Sequence, residues 1–335
     1  MSRPTPAARS LRSSERRSLI VDRGDARRRL DLVLLDRLPQ QARSRTRIQR
    51  WIDEGLVSVE GAVVRRAATR LLEGQRVDLE LPVTPRRTLA AEDIPLRVLY
   101  EDAWLLAIDK PAGLVAHPTR RHPTGTLVNA LLWRSGEPLE GAAVVGPRLV
   151  HRLDRETSGV LLVAKSREMH AVLARAMSRR AIIKEYLALV YGTPPRDRDL
   201  IDLRIVRDPA TRRLAVSRTE GRVCETRYEL LARSTDACAG LSLLRCTLGT
   251  GRLHQIRVHL SGIGLPLVGD PLYGEPRWKG VADAICAQAC AAFPRQALHA
   301  ARLRFTHPAT GALLEIVAPP PDDLAALVAA AGLAI

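Results

Sequence analysis

Residues 148–165 read RLVHRLDRETSGVLLVAK, and this stretch decides how the rest of the chain is read. Its second half, Gly159 to Ala164, is a short apolar run of the kind that forms a strand buried on both faces, and the ETSG before it is a turn. At the mouth of that turn one carboxylate, Asp154, sits between Arg152 and Arg155. Neighbouring cations favour an ionised carboxylate, so Asp154 is available as a nucleophile or base at neutral pH. The plain alternative for such a cluster is a solvated loop salt bridge.

Working outward, strands are expected at Trp104–Ile108, Ile182–Tyr191 and Leu241–Leu248. Helices are expected around Leu127, Ala130 and Leu131, and over Met169, Val172, Leu173, Ala176 and Met177 behind a Ser166 cap. This is a mixed α+β pattern over residues 96–335. In IIKEYLALVYG (182–192) strand alternation puts Lys184 and Tyr186 on one face, a ring with a polar tip beside a cation. In TGRLHQIRVHL (250–260) a helix over Arg252–Leu260 would align Leu253, Ile256 and Leu260, with Arg257 inside the apolar stripe. A guanidinium there needs a buried anionic partner, and Asp154 is the candidate. Otherwise its head snorkels to solvent.

Upstream, Leu30, Val33, Leu34 and Leu38 recur at helical spacing over 25–38. A second helix runs from an N-cap at Ser44 to Gly55, with Ile48, Trp51 and Ile52 inward and Arg43, Arg47 and Arg50 on a shared cationic face. Val57–Val59, a Glu60-Gly61 turn, Ala62–Val64 and the alternation of Val77, Leu79 and Leu81 add short strands. The expected organisation is a basic, disordered arm over 1–24, a small αβ module over 25–83, a linker over 84–95 and a large domain over 96–335.

The 335 residues carry a net charge of +16 and a pI near 10.7, which points to a polyanionic partner. No run of about 18 apolar residues exists, which disfavours a membrane span and leaves nucleic acid. Arg supplies nearly all the positive charge, the lysines being Lys110, Lys165, Lys184 and Lys279. The five cysteines, Cys224, Cys238, Cys246, Cys286 and Cys290, lack paired CxxC spacing, so no metal is expected and the thiols read as reduced, in a cytoplasmic protein.

Two resemblances organise these features. RRRLDLVLLDRLPQQARSRTRIQRWIDEGLVSVEGAVV (27–64) and GQRVDLELP (74–82) resemble the S4 RNA-binding domain. HRLDRETSG, IIKEYLALVYG and TGRLHQIRVHL, with DKPAGLVAHP (109–118), LPLVGDPLYG (265–274) and RQALHAARLRFTHPATG (295–311), resemble the RluA family of pseudouridine synthases. The layout is nearest the S4-bearing large-subunit ribosomal RNA enzymes of the RluC and RluD type. The resemblance implies a largely antiparallel catalytic sheet and a monomer acting on structured RNA, ribosomal RNA or a pre-ribosomal particle. It implies Asp154 as the catalytic aspartate, Tyr186 packed on the target base and Arg257 paired with Asp154. Arg152 would help take the uridine out of its stack, and Arg155, Lys184 and Arg252 would join the RNA contacts. Leu253 stands where Thr or Ser is usual before HQIR and is expected to face inward. Isomerisation of uridine involves no net redox change and no gain of atoms, so no cofactor is expected. The rivals are a non-catalytic RNA-binding or assembly factor, a tRNA-directed synthase, and a nucleotide-using enzyme built on Gly249-Thr250-Gly251, which lacks a GK[ST] ending.

Overall fold

The computed structural model describes residues 14–38, 44–82, 89–119, 121–136, 148–234, 240–274 and 276–334. Contacts divide the chain into two units, Met1–Arg87 and Thr88–Ile335. Among the described residues no helix is long and apolar enough to cross a membrane.

The small unit packs α1 (Leu30–Arg37) and α2 (Arg45–Asp53) on a sheet whose strand order is β1 (Ser14–Ile20), β4 (Arg76–Pro82), β2 (Val57–Val59), β3 (Ala62–Val63). Leu30, Val33, Leu34, Ile48, Trp51 and Ile52 meet Val57, Val77 and Leu79 in one core, as the helical and alternating patterns require. Glu60 (φ 49°) and Gly61 (φ 77°) both occupy the left-handed region, which the tight β2–β3 hairpin demands. Two expectations change. Ser44 precedes α2, but its side chain makes no capping bond. The basic arm expected over 1–24 is, from Ser14 to Ile20, an edge strand antiparallel to β4, with Arg16 donating to Glu80 (3.0 Å) and Ser18 to Asp78. Its hold comes from backbone pairing and cross-strand ion pairs, which composition does not reveal.

The large unit is built on a ten-stranded sheet. Its path runs β10 (Arg198–Ile201), β13 (Thr226–Arg233), β14 (Leu241–Leu248), β9 (Ile183–Tyr191), β15 (Leu298–Thr306), β8 (Ser158–Ala164), β6 (Leu105–Lys110), β5 (Arg97–Glu101). In addition β16 (Leu313–Val317) pairs with β15, and β7 (Arg148–Leu149) with β8. Every pairing is antiparallel except β15 with β8. At that parallel crossing Gly159 (φ 110°) lies so close to β15 that a Cβ would stand 2.2 Å from the Ala300 carbonyl oxygen, so no other residue fits.

Both faces of the sheet are covered, which is why β8 is buried at every residue. On one face α3 (Leu127–Ser135) and α5 (Gln255–Gly262) pack on Ile108, Leu161, Val163, Ala188 and Leu244. On the other lie α4 (Arg167–Ser178), whose Leu173 packs with Leu162, and α6 (Ala284–Ala292) and α7 (Asp322–Ala330), whose Cys286 and Leu327 pack with Leu189 and Leu243. Ser166 caps α4 as expected, accepting the Met169 amide at 3.1 Å. Residues 89–95, expected as linker, are fastened to this unit: the Asn129 side chain donates to the Ala90 carbonyl (2.7 Å) and Glu92 accepts the Gly125 amide (2.9 Å). A line of charge crosses six adjacent strands, Arg198–Glu229 (2.5 Å), Glu229–Arg245 (2.8 Å), Arg245–Glu185 (3.7 Å), Glu185–Arg302 (2.6 Å) and Arg302–Glu315 (3.1 Å). Cys224, Cys246, Cys286 and Cys290 are buried and in no disulfide among the described residues, and Cys238 lies outside the described residues.

Candidate active site

Asp154 sits in the loop between β7 and β8, and the main chain of that loop is fixed at several points. Lys110, fully buried at the end of β6, donates from its ammonium to the carbonyls of Pro111 (2.7 Å), Leu114 (3.0 Å) and Arg155 (2.9 Å). Burial lowers its pKa to about 8, but all three ammonium protons have acceptors. Gly113 and Arg155 exchange two further bonds, Gly113 N to Arg155 O (2.9 Å) and Arg155 Nε to Gly113 O (3.0 Å). Arg295 donates to the Glu156 carbonyl (3.2 Å), and Gln296 to the Thr157 hydroxyl (3.1 Å). His151, its pKa pushed down to about 3 by burial and then by Lys184, is neutral and accepts the Leu162 amide at 3.1 Å. A backbone held this firmly keeps the Asp154 carboxylate in a set position.

That carboxylate faces α5. Arg257 is buried with 5% of its side chain exposed, and its Nη1 donates to Asp154 Oδ2 at 3.1 Å. Its main partner is a different carboxylate. Nε and Nη2 make a bidentate pair with Asp270 at 2.7 and 2.8 Å, and the Asp270 side chain is 1% exposed. Burial alone would push the Asp270 carboxyl up. The Arg257 fork and the amides of Leu272 (2.9 Å) and Tyr273 (3.1 Å) outweigh it and hold the group below the ordinary carboxylate value. Asp270 reaches this place because Gly269 (φ 71°) lets the chain turn where a Cβ would meet the Arg295 carbonyl oxygen at 2.1 Å. The Tyr273 ring lies under the guanidinium, 5.2 Å from its carbon, and the Tyr273 hydroxyl bonds His254 Nδ1 at 2.9 Å. His254, in the left-handed region at φ 53°, brings Nε2 to 3.8 Å from Asp154, and burial keeps the imidazole neutral.

These groups open on a cavity of about 510 Å³ lined by Asp154, Arg152, Lys184, Tyr186, Arg252 and Arg257 among others. Six residues singled out from the sequence of the large unit are thus brought together. Arg155 is not among the lining residues; its head is engaged by Gly113 and by Glu156 (3.3 Å). Lys184 and Tyr186 share one face of β9 as alternation requires. Burial lowers the pKa of the lysine, and burial followed by the Asp154 charge raises that of the tyrosine, so its phenol stays protonated. In the small unit Arg47 and Arg50 are exposed on α2, Arg50 bonding Glu54 at 2.8 Å, and Arg43 lies outside the described residues.

Sequence reasoning missed Asp270, Lys110, His254, Tyr273 and Arg222, the last also lining the cavity. It also placed Leu253 wrongly. The helix begins at Gln255, because His254 is left-handed and breaks the turn expected from Arg252, so Leu253 stands outside the helix at 39% exposure on the cavity rim. The signal that could have flagged Asp270 is the buried guanidinium itself, whose five donors exceed what one carboxylate at the cavity edge can accept. Among the described residues no group of three His, Cys, Asp or Glu is placed to hold a metal ion.

Residues 104–262 match the family model described as RNA pseudouridylate synthase, and residues 28–77 that of the S4 domain. Over 96% of its length the chain is 41% identical to the ribosomal large subunit pseudouridine synthase D of Xanthomonas campestris, covering 93% of that protein. The chain belongs to the RNA pseudouridylate synthase family. A second relative, the synthase D of Nitrosomonas europaea, is 41% identical over 90% of this chain and 84% of its own. Among solved structures, human RNA pseudouridylate synthase domain containing 1 superposes with a TM-score of 0.54 at 28% identity, over 72% of this chain and 89% of that one. As a synthase of this family the chain is an isomerase acting on RNA, with an S4 domain ahead of its catalytic domain. The α+β expectation and the largely antiparallel sheet both hold.

Proposed function

We propose that the chain isomerises selected uridines in large-subunit ribosomal RNA, with Asp154 as the catalytic residue. The observation that carries this reading is the Asp154 carboxylate standing on a cavity wall, tied to a buried arginine by one 3.1 Å bond and otherwise open to a ligand. The ribosomal substrate rests on the likeness to the two synthases D and on the S4 domain.

Uridine becomes pseudouridine when the N1–C1′ bond breaks, the uracil turns and C5 joins C1′; the C5 proton leaves and N1 gains one. A base inside a duplex cannot reach Asp154, so it must leave the stack, which costs a few kcal/mol and selects loops and weak stems. Arg152, exposed at the cavity edge, is suited to fill the gap or hold the phosphate. Tyr186 offers a ring against which a detached uracil can turn, and its protonated hydroxyl is a donor. Asp154 then acts at the sugar, by attack on C1′ or by removal of the C2′ proton. Arg257 orients it through the 3.1 Å bond, and Lys184 and Arg252 add positive charge for the backbone. We further propose that the chain acts as a monomer in the cytoplasm.

The test is conversion of uridine in a large-subunit ribosomal RNA transcript by the purified protein, mapped nucleotide by nucleotide without added metal or nucleotide. No pseudouridine formed by wild type, or equal yield from Asp154→Asn, overturns the reading.

A further inference from the structure

Among the described residues, the Arg and Lys side chains that line the cavity are Arg152, Lys184, Arg222, Arg252 and Arg257. Arg152, Arg252 and Arg222, which follows the hairpin of β11 (Arg204–Arg207) and β12 (Leu214–Ser217), are exposed. Arg257 is buried but shared between two carboxylates. Lys184 differs from all of these. It is 8% exposed, and among the described residues its ammonium has neither a carboxylate at ion-pair distance nor a hydrogen-bond acceptor.

The surroundings of Lys184 explain why no protein group pairs with it. It leaves β9 on the same face as Tyr186, so the two side chains set out about 7 Å apart along the strand. The Gly251 backbone runs beside its Nζ, where a Cβ would stand 3.5 Å away. His151 lies close enough to feel the lysine's charge but offers it no acceptor. The one ring lone pair of that neutral imidazole is taken by the Leu162 amide at 3.1 Å, which leaves its proton on Nδ1. Burial alone lowers the lysine's pKa, with no acid opposing it. Burying an ammonium without a partner is costly, and this one lines a cavity of about 510 Å³. The missing partner is therefore an anion that arrives with, or forms from, the substrate.

We propose that Lys184 is a catalytic residue that binds the uracil itself and holds the negative charge the base carries once its glycosidic bond has broken. By either route open to Asp154, the electron pair of the N1–C1′ bond leaves with the uracil, and the charge spreads over N1, O2, O4 and C5. Attack at C1′ leaves a sugar ester on Asp154 that C5 later displaces. Removal of the C2′ proton leaves a C1′–C2′ double bond, and that proton returns when C5 adds. In both, the C5 proton then leaves and N1 takes one up. A detached base lying against the Tyr186 ring brings a carbonyl edge toward a side chain rooted about 7 Å along the strand. A fixed cation in a water-poor site favours bond breaking most when the charge it meets develops only in that step. Charge for the RNA backbone can be supplied from the rim, as Arg252 supplies it, whereas the depth of Lys184 suits the base. The inference rests on the cavity being the uridine site.

The test is single-turnover conversion of a large-subunit ribosomal RNA transcript by saturating full-length wild type and Lys184→Met, with filter binding and thermal unfolding of both proteins. The variant should convert uridine about 100-fold more slowly or worse, as when one preorganised donor is removed from an active site, while its RNA affinity changes far less. Its melting temperature should equal or exceed that of wild type, because an unpaired buried charge gives way to an apolar side chain of similar length. A transcript carrying 5-fluorouridine supplies a base whose anion is inherently more stable. With loss of the N1-linked nucleoside as the readout, the ratio of wild-type to variant rates should be smaller on that transcript. A wild-type rate in the saturated variant with only its affinity reduced, a lowered melting temperature, or the same rate ratio on both transcripts overturns the proposal. No conversion by wild type overturns the uridine assignment and the proposal together, whereas each of the other results leaves that assignment standing.

Discussion

Replacing Arg257 by Met should destabilise the catalytic domain by an amount that depends on pH. The substitution fills the apolar site with a side chain of similar reach but leaves Asp270, 1% exposed, with only the amides of Leu272 and Tyr273. Asp154 is 18% exposed and can turn to water, so the cost falls on Asp270. Removing one member of a buried pair typically costs about 3 to 5 kcal/mol, which for a domain of this size is a fall in melting temperature of roughly 6 to 20 °C. In wild type the Asp270 pKa is depressed, so its contribution is present above the unfolded carboxylate value and is lost as pH falls through the lower native one. In the variant burial dominates and the pKa rises above the unfolded value, so that protein loses stability as pH climbs through the carboxylate range. The gap between the two should therefore widen from about pH 4 to about pH 7. Thermal unfolding followed by circular dichroism across that range measures it. A neutral-pH deficit under about 1 kcal/mol, or one that does not change with pH, refutes the argument. The double variant Arg257→Met, Asp270→Leu should recover most of the stability and none of the activity, because it removes both buried charges but still strips Asp154 of its partner.

Other outcomes follow from the same geometry. Asp154→Asn should abolish turnover while RNA affinity, measured by filter binding, stays within about twofold of wild type, since it removes one charge at the chemistry and none from the phosphate contacts; parallel loss of both would make the residue structural. Turnover should decline on the alkaline side through about pH 8, where Lys110 gives up a proton and one of its three carbonyls loses a donor. A rate profile flat up to the ordinary lysine value of 10.5 speaks against that role. Deleting residues 1–87 should leave a folded catalytic domain with a shallower salt dependence of RNA binding, and Arg47→Gln and Arg50→Gln should each reproduce part of the change; an unchanged slope means the S4 domain does not bind phosphate.

How far the chain could be read from its residues varied with the distance over which the physics acts. β8 and α4 were legible because burial on two faces and a Ser cap leave local marks in SGVLLVA and in SREM. Arg257 was legible as buried because its neighbours at helical spacing are apolar. Its principal partner was not, because Asp270 lies on a loop 13 residues on, and only the Gly269 turn and the packing of Arg295 bring it under the helix. Leu253 was misread because one left-handed residue, His254, shifts the start of α5 by three positions, and an L residue at positive φ gives no sequence signal of its own. β1 was misread because Arg and Ser are what disordered segments are made of, and an edge strand held by backbone and ion pairs needs no apolar alternation.

The line of ion pairs across the catalytic sheet has a kinetic side. Its members come from β10, β13, β14, β9, β15 and β16, and the link of greatest separation, Glu185 to Arg302, spans 117 residues, so its loop closes late. Interactions absent from the transition state leave the folding rate alone and slow unfolding. Truncating Arg302 should therefore shift the unfolding arm of a chevron plot upward, at unchanged slope, while the refolding arm stays in place. The ladder would lengthen the lifetime of a finished molecule without hurrying its assembly, and raised ionic strength would shorten that lifetime first.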